Sequence, residues 1–370
     1  MWVDDRELIL NGNLINLDVF RDFLHFQIES LNDFIAQNVL LGLTLEELGI
    51  VINFDELGKQ GDFTTVGQNP LLVKLEGNSD SNRFLEALVT VKKGRFASFE
   101  NGQLVWEMQQ AQLWVANIHQ AMLRTHDIAH ITQGSPGRMT EEDKMQSANT
   151  LASRRHLVVA PNMDTLAVWS NYWKGRTISG RFKEILRVFP KIISEFIFIL
   201  LRVVRPIEVL FLAKHLTLAS DRTKMISAYR SALWASMGTS LHANAMCASL
   251  SDFLALPGRD GEPVFNFKFN VRCYRQFATA VQRRHLPGSP KYTEQIAESL
   301  TAAGDLQAGR TEGTSHQNYA IQTSTVNMEP GFIAHYLAYS TAWHRFWGLE
   351  TEQGAKGSAK MSRNKGQPEK

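Results

Sequence analysis

The stretch "FPKIISEFIFILLRVVRPIEVLFLAKHL", residues 189–216, is the most apolar window of the chain and the one that most limits its fold. Glu195, Arg202, Arg205 and Pro206 interrupt it, so no unbroken apolar run of about 18 residues remains to cross a bilayer. Such a segment must instead be buried by the rest of the protein, as one helix or a helix pair. At 370 residues, with 21% charged and 10% aromatic side chains, the chain has the material for such a core and room for two domains. The opening "MWVDDRELIL" is acidic where a secretory signal is basic, and no long apolar core follows it. The expectation is a soluble protein, nuclear or otherwise intracellular, with no membrane partner.

Helical spacing dominates elsewhere. "NLDVFRDFLHFQIESLNDFIAQNVLLGL", residues 16–43, predicts one or two amphipathic helices, and "VWEMQQAQLWVANIHQAMLRTHDIAH", residues 105–130, a long one. Between them, "GKQGDFTTVGQNP" reads as a loop. "TQGSPGR" is a turn-rich break, after which Thr140 with Glu142 and Asp143 suggests a helix start. The period then changes: "RHLVVAP" and "DTLAVWSNYW" predict a β-hairpin, with Lys174 at the end of its second strand. Helices are expected from there onward. Asn270 is placed to cap "VRCYRQFATAVQRRH", whose Val271, Tyr274, Phe277, Ala278 and Val281 form one apolar stripe. The fold class predicted is mainly α with a small antiparallel β-sheet.

Lys+Arg is 39 against Asp+Glu 37, and a net charge of +2 neither requires nor excludes a nucleic acid. The placement of cations matters more. Arg138 follows the turn "GSPG", Lys174 closes a hairpin, and Arg272 and Arg275 lie three apart on one predicted helix. Arg275 sits at the edge of the apolar stripe, where a half-buried guanidinium needs an acceptor. Arg310 precedes Tyr319 by nine residues in "DLQAGRTEGTSHQNYA". On one unbroken helix they would face opposite ways, so a break at Gly313 is needed for them to converge. Each residue also fits an ordinary role: a loop ion pair for Arg138, a solvated turn for Lys174, a polar helix face for Arg272 and Arg275. Cys247 and Cys273 have no zinc-like spacing, so no zinc site is expected.

Taken in order, these residues resemble the tyrosine recombinase superfamily, in particular the recombinase-like domains of fungal Crypton-type mobile elements and their telomere-associated relatives. "GSPGRMTEE" is similar to the family's first arginine segment and points to Arg138. "NTLASRRHLVVAPNMDTLAVWSNYWKGRTISG" resembles its hairpin and points to Lys174. "FNVRCYRQFATAVQRRHL" places the second arginine at Arg275, and "DLQAGRTEGTSHQNYA" the tyrosine at Tyr319. "STAWHRFWGLE" is similar to a closing Trp-His motif of the fungal branch. The likeness covers roughly residues 110–350 closely and the first third loosely. It implies a helical N-terminal region over 1–108, core-binding-like and shorter than the family's, and a recombinase-like catalytic domain over 109–350. The Lys/Arg-bearing segment 351–370 reads as a disordered tail.

The resemblance implies double-stranded DNA as partner, with room for a homo-oligomer on it. It implies that Tyr319 attacks a phosphodiester to form a 3′-phosphotyrosyl bond. Arg138, Arg275 and Arg310 hold the phosphate oxygens, with Arg272 as a further phosphate contact, and Lys174 protonates the leaving 5′ oxygen. No metal or cofactor enters that chemistry. Two positions depart from the family pattern: Arg272 and Arg310 stand where it carries His, or His/Trp. Arginine stays protonated and does not serve as a general base, a role typically worth about 10²–10⁴-fold. His316, three residues before Tyr319, is the one imidazole near enough in sequence to substitute. The leading expectation is therefore DNA binding with weak or lost cleavage; an active recombinase and a helical interaction protein with no DNA partner remain the alternatives.

Overall fold

The computed structural model describes residues 1–58, 65–71, 73–91, 96–170, 184–215, 218–286 and 330–350. Its longest elements are helices, and its sheets are small and antiparallel. The first sheet pairs β1 (Glu7–Leu10) with β2 (Asn13–Asn16) and leads directly into α1 (Leu17–Phe34). Asn16 caps that helix by accepting from the Asp18 and Val19 amides. After α1 the backbone widens into a π turn over Ile35–Val39, and short α2 (Phe54–Gly58) follows. Helix α3 (Ser79–Thr90) opens with a capping box on Asn78 and Ser81.

A second hairpin, β3 (Ala97–Glu100) with β4 (Gln103–Trp106), precedes α4 (Met108–Thr132), the helix expected over 105–130. One-turn helix α5 (Met139–Glu142) comes next. The hairpin predicted in the middle of the chain is present as β5 (Leu157–Val159) and β6 (Leu166–Ser170). It gains a third antiparallel strand, β7 (Ile185–Val188), in a region where only helices were expected. Every residue of β7 is buried, Arg187 included, so the strand has no polar face to give it a two-residue period.

The apolar stretch forms one continuous rod: α6 (Lys191–Phe198), a π turn over Ile199–Val204, and α7 (Arg205–His215). It is buried on nearly every side, as its composition requires. Pro206 has no N–H for the Arg202 carbonyl, and the Asn78 side chain donates to that carbonyl instead at 2.9 Å. The two interrupting arginines are held inside the protein: Arg202 by Asp80, and Arg205 by the Ala232 and Leu233 carbonyls. No described helix is long and apolar enough to cross a membrane.

Helix α8 (Ala219–Ser231), a two-residue hairpin of β8 (Ala235–Ser236) and β9 (Thr239–Ser240), and α9 (Ala243–Phe253) follow the rod. Helix α10 (Val271–His285) begins at Asn270, which accepts from the Arg272 and Cys273 amides as expected. Tyr274, Phe277, Ala278 and Val281 of its stripe are buried, with Val271 at the edge. The final described helix is α11 (Pro330–Phe346).

Three further hairpins were not anticipated, all of them within stretches expected to be helical. Asn11-Gly12, Asn101-Gly102 and Met237-Gly238 all carry positive φ at both turn residues, the geometry whose twist matches two short antiparallel strands. One hydrophobic cluster runs from Leu8 to Trp347. At its centre Phe20 of α1 stacks edge-on against Phe277 of α10 and Trp347 after α11, at 5.0 and 5.1 Å between centroids.

Candidate functional site

The turn between α4 and α5 carries Arg138 and is where four elements meet. From α10, Tyr274 donates to the Ile131 carbonyl at 2.8 Å, and Gln282 accepts from Ser135 at 2.9 Å. From α11, Trp343 reaches the Ile131 carbonyl at 3.1 Å, and the Tyr339 hydroxyl lies 2.8 Å from that of Ser135. From β7, Arg187 donates to the Ser135 carbonyl at 3.2 Å and to the Ser170 hydroxyl at 3.4 Å. Its guanidinium also stands 3.9 Å from Glu141. Arg187 thereby ties the Arg138 turn to the end of β6, next to the segment bearing Lys174.

Arg138 itself is the residue before α5. It is half-buried, with extended backbone angles, and its carbonyl accepts from the Glu141 and Glu142 amides at 2.8 and 3.1 Å. Its side chain makes no capping bond, and Thr140, which was expected near the helix start, lies inside the turn and is exposed. On α10, Arg272 is exposed and Arg275 half-buried, the latter with its Nε shielded from solvent. The tyrosine next to Arg275 is the one bonded to Ile131, so α10 bears both arginines on the helix that braces the Arg138 turn. Lys174, Arg310, His316 and Tyr319 lie outside the described residues, as does the 351–370 tail.

Behind Arg138 is a buried ionic cluster that sequence reasoning did not pick out. His126 and His130 share one face of α4, Gln133 ends the helix, and all three point at Glu142. His126 Nε2 lies 2.9 Å from Oε2, while His130 Nδ1 and Gln133 Nε2 lie 2.8 and 3.0 Å from Oε1. The other nitrogen of His126 faces Asp127 at 3.1 Å, and Asp127 also accepts from Ser249 of α9. Both ring nitrogens of His126 meet carboxylates, which favours the imidazolium. Burial alone would depress its pKa, but the bonds to Asp127 and Glu142 and their charges outweigh it and raise it to about 9.

Glu142 moves the opposite way. Burial works to raise it, yet the charge of His130 and the hydrogen bonds from His126 and His130 hold it well below the usual carboxylate range. Glu141 next to it is raised by burial, partly offset by Arg187. The signal was present in the text: two histidines and a glutamine at spacings of four and three, on a helix whose neighbours at those positions are apolar. A helix that buries such a face needs a charged partner, and "TEE" was the nearest one.

Gly137 is tightly enclosed by this packing. A Cβ there would stand 3.3 Å from Arg187 Nη2, Glu141 Oε2 and Glu142 Oε1 alike. Among the described residues no group of three or more His, Cys, Asp or Glu is arranged to hold a metal ion. The described part of the site thus sets the half-buried Arg138 beside a water-excluded ionic frame, with Arg272 and Arg275 on the helix that braces it.

In comparison with known proteins, the chain matches no protein-family model, no curated protein and no solved structure.

Proposed function

We propose that the protein binds double-stranded DNA through its phosphate backbone, as a tyrosine-recombinase-like protein of the fungal mobile-element type with weak or lost strand cleavage. The observation that carries this reading is the bracing of α10, with Arg272 and Arg275, against the turn that carries Arg138. The link is made by Tyr274 on Ile131 and Gln282 on Ser135. Two arginine-bearing segments more than 130 residues apart are thereby held at one junction, in the order that the sequence resemblance requires. The fork geometry of guanidinium groups suits the non-bridging oxygens of a phosphodiester.

Weak or lost cleavage is proposed because Arg272 and Arg310 stand where an imidazole would take the tyrosine proton. The test is binding of the purified chain to a mixed-sequence duplex across a range of salt. Affinity that falls linearly in log–log form supports the reading. Folded protein with no affinity at low salt rejects it in favour of a helical interaction protein. A covalent protein–DNA adduct abolished by Tyr319→Phe would show instead that cleavage has been retained.

A further inference from the structure

Helix α5 is a single turn, Met139–Glu142, and a helix this short has little stability of its own. Its orientation has to come from what its side chains grip. Glu142 receives donors from His126 and His130 on the last turns of α4 and from Gln133 at its end. The cluster is closed to water: the Trp234 ring meets His126 edge-on at 5.1 Å, and Tyr274 covers His130 at 5.7 Å. Electrostatic bonds in such a shell are strong and directional.

The grip is transmitted to Arg138 over a short path. The Glu142 amide donates to the Arg138 carbonyl at 3.1 Å, so a shift of Glu142 moves the peptide unit that carries Arg138. On the other side Arg187 holds the Ser135 carbonyl, and Gly137 leaves no slack between the two anchors. Arg138 is thus the one half-exposed side chain on a turn fixed at both ends by buried charges.

Resting on the reading of Arg138 as a phosphate ligand, we propose that His126 and His130 are positioning residues, which grip Glu142 and so set the direction in which Arg138 meets a phosphate. They do not touch DNA. Their effect passes through Glu142 and the main chain of α5.

The full-length chain tests this with a matched pair of substitutions. In His130→Asn the amide nitrogen stands where Nδ1 stands and still donates to Glu142, whereas His130→Leu removes the donor. The leucine variant should bind a mixed-sequence duplex roughly tenfold more weakly, the weight of one hydrogen bond to a charged group. The asparagine variant should bind as the wild type does. In an Arg138→Ala background, His130→Leu should cost nothing further, because the effect has no other route to DNA.

Hydrogen exchange at the Glu141, Glu142 and Asp143 amides reads the same grip without DNA, and should quicken in His130→Leu but not in His130→Asn. If the wild type binds no DNA, the phosphate reading falls, and these amides alone decide whether the grip exists. The proposal is overturned if a folded His130→Leu protein leaves affinity and amide exchange unchanged. It is equally overturned if that variant loses the same affinity whether or not Arg138 is present. Should His130→Leu not fold, Gln133→Met, which removes only the neutral donor, carries the same comparison.

Discussion

Two fully buried carboxylates in this protein meet opposite fates. Glu142, beside the candidate site, is held ionised far below the usual carboxylate range, while Glu208 on α7 is pushed up to about 7 by burial. Both are shielded from water, so burial does not separate them. Their partners do. Glu142 faces two imidazoles and an amide, whereas Glu208 receives only the Tyr229 hydroxyl at 2.6 Å and the Met237 amide at 3.2 Å. The nearby Arg205 donates to the carbonyls of Tyr229, Ala232 and Leu233 and lies against the Tyr229 ring. One cluster is an ionic one beside a half-exposed arginine; the other is a hydrogen-bonded corner that fastens α7 to α8.

The same substitution at both sites should separate them most sharply. Glu142→Gln leaves buried imidazole donors facing an amide and should lower unfolding stability by about 3–5 kcal/mol, the cost of breaking a buried ion pair from one side. Glu208→Gln keeps an oxygen that accepts from Tyr229 and Met237 and should cost less than about 1 kcal/mol near pH 6. Urea denaturation of the two variants in one buffer measures the contrast, and equal losses would erase it.

Stability against pH should show the next largest difference. The Glu208 pKa is raised in the folded state from 4.5 to about 7, so the folded protein holds a proton that the unfolded chain has lost. Its contribution is full below pH 4.5 and declines as pH rises through 7. His126 is raised from 6.5 to about 9, and its contribution declines between those values. Glu142 is lowered, so its contribution is present above 4.5 and is lost as pH falls below that. Thermal melts should therefore lose their decline between pH 4.5 and 7 in Glu208→Gln, and their decline between 6.5 and 9 in His126→Gln. An unchanged profile in either variant contradicts the assigned role.

A smaller effect should come from the packing around the charged cluster. Gly137→Ala places a methyl 3.3 Å from three polar atoms of Arg187, Glu141 and Glu142. It should cost about 1–3 kcal/mol, as overpacking does. In the Glu208 corner Gly238 has only Met225 within reach, at 3.9 Å, but its φ of +82° makes alanine there a test of backbone strain instead. Melting temperatures of the two variants compare crowding with strain.

Much of the helical frame was legible because its signals are local. The α10 cap at Asn270 and its stripe from Tyr274 to Val281 follow from spacing alone, and so does the burial of the 191–215 rod. The central hairpin was also readable, from its β-branched runs. Two other hairpins were missed although Asn11-Gly12 and Asn101-Gly102 announce them, because their strands are only four residues long and sit beside stronger helical patterns. Strand β7 was hidden for another reason: it is buried on both faces and holds an arginine, so neither alternation nor polarity marked it.

At the site, sequence pattern proposed Arg138, Arg272 and Arg275 but gave no sign of what surrounds them. Ser135, Arg187, Gln282 and Tyr339 meet across separations of up to 204 residues, and only the fold pairs them. The His126–His130–Glu142 cluster was closer to hand, since its members lie within 16 residues of one another.

The central claim is that Arg138 contacts a DNA phosphate. Its most direct test compares the salt dependence of duplex binding in the wild type and in Arg138→Ala. Loss of one phosphate contact should weaken binding and flatten the log–log slope by about 0.9. A variant that binds with the wild-type affinity and slope, or a folded wild type that binds no DNA at low salt, would contradict it.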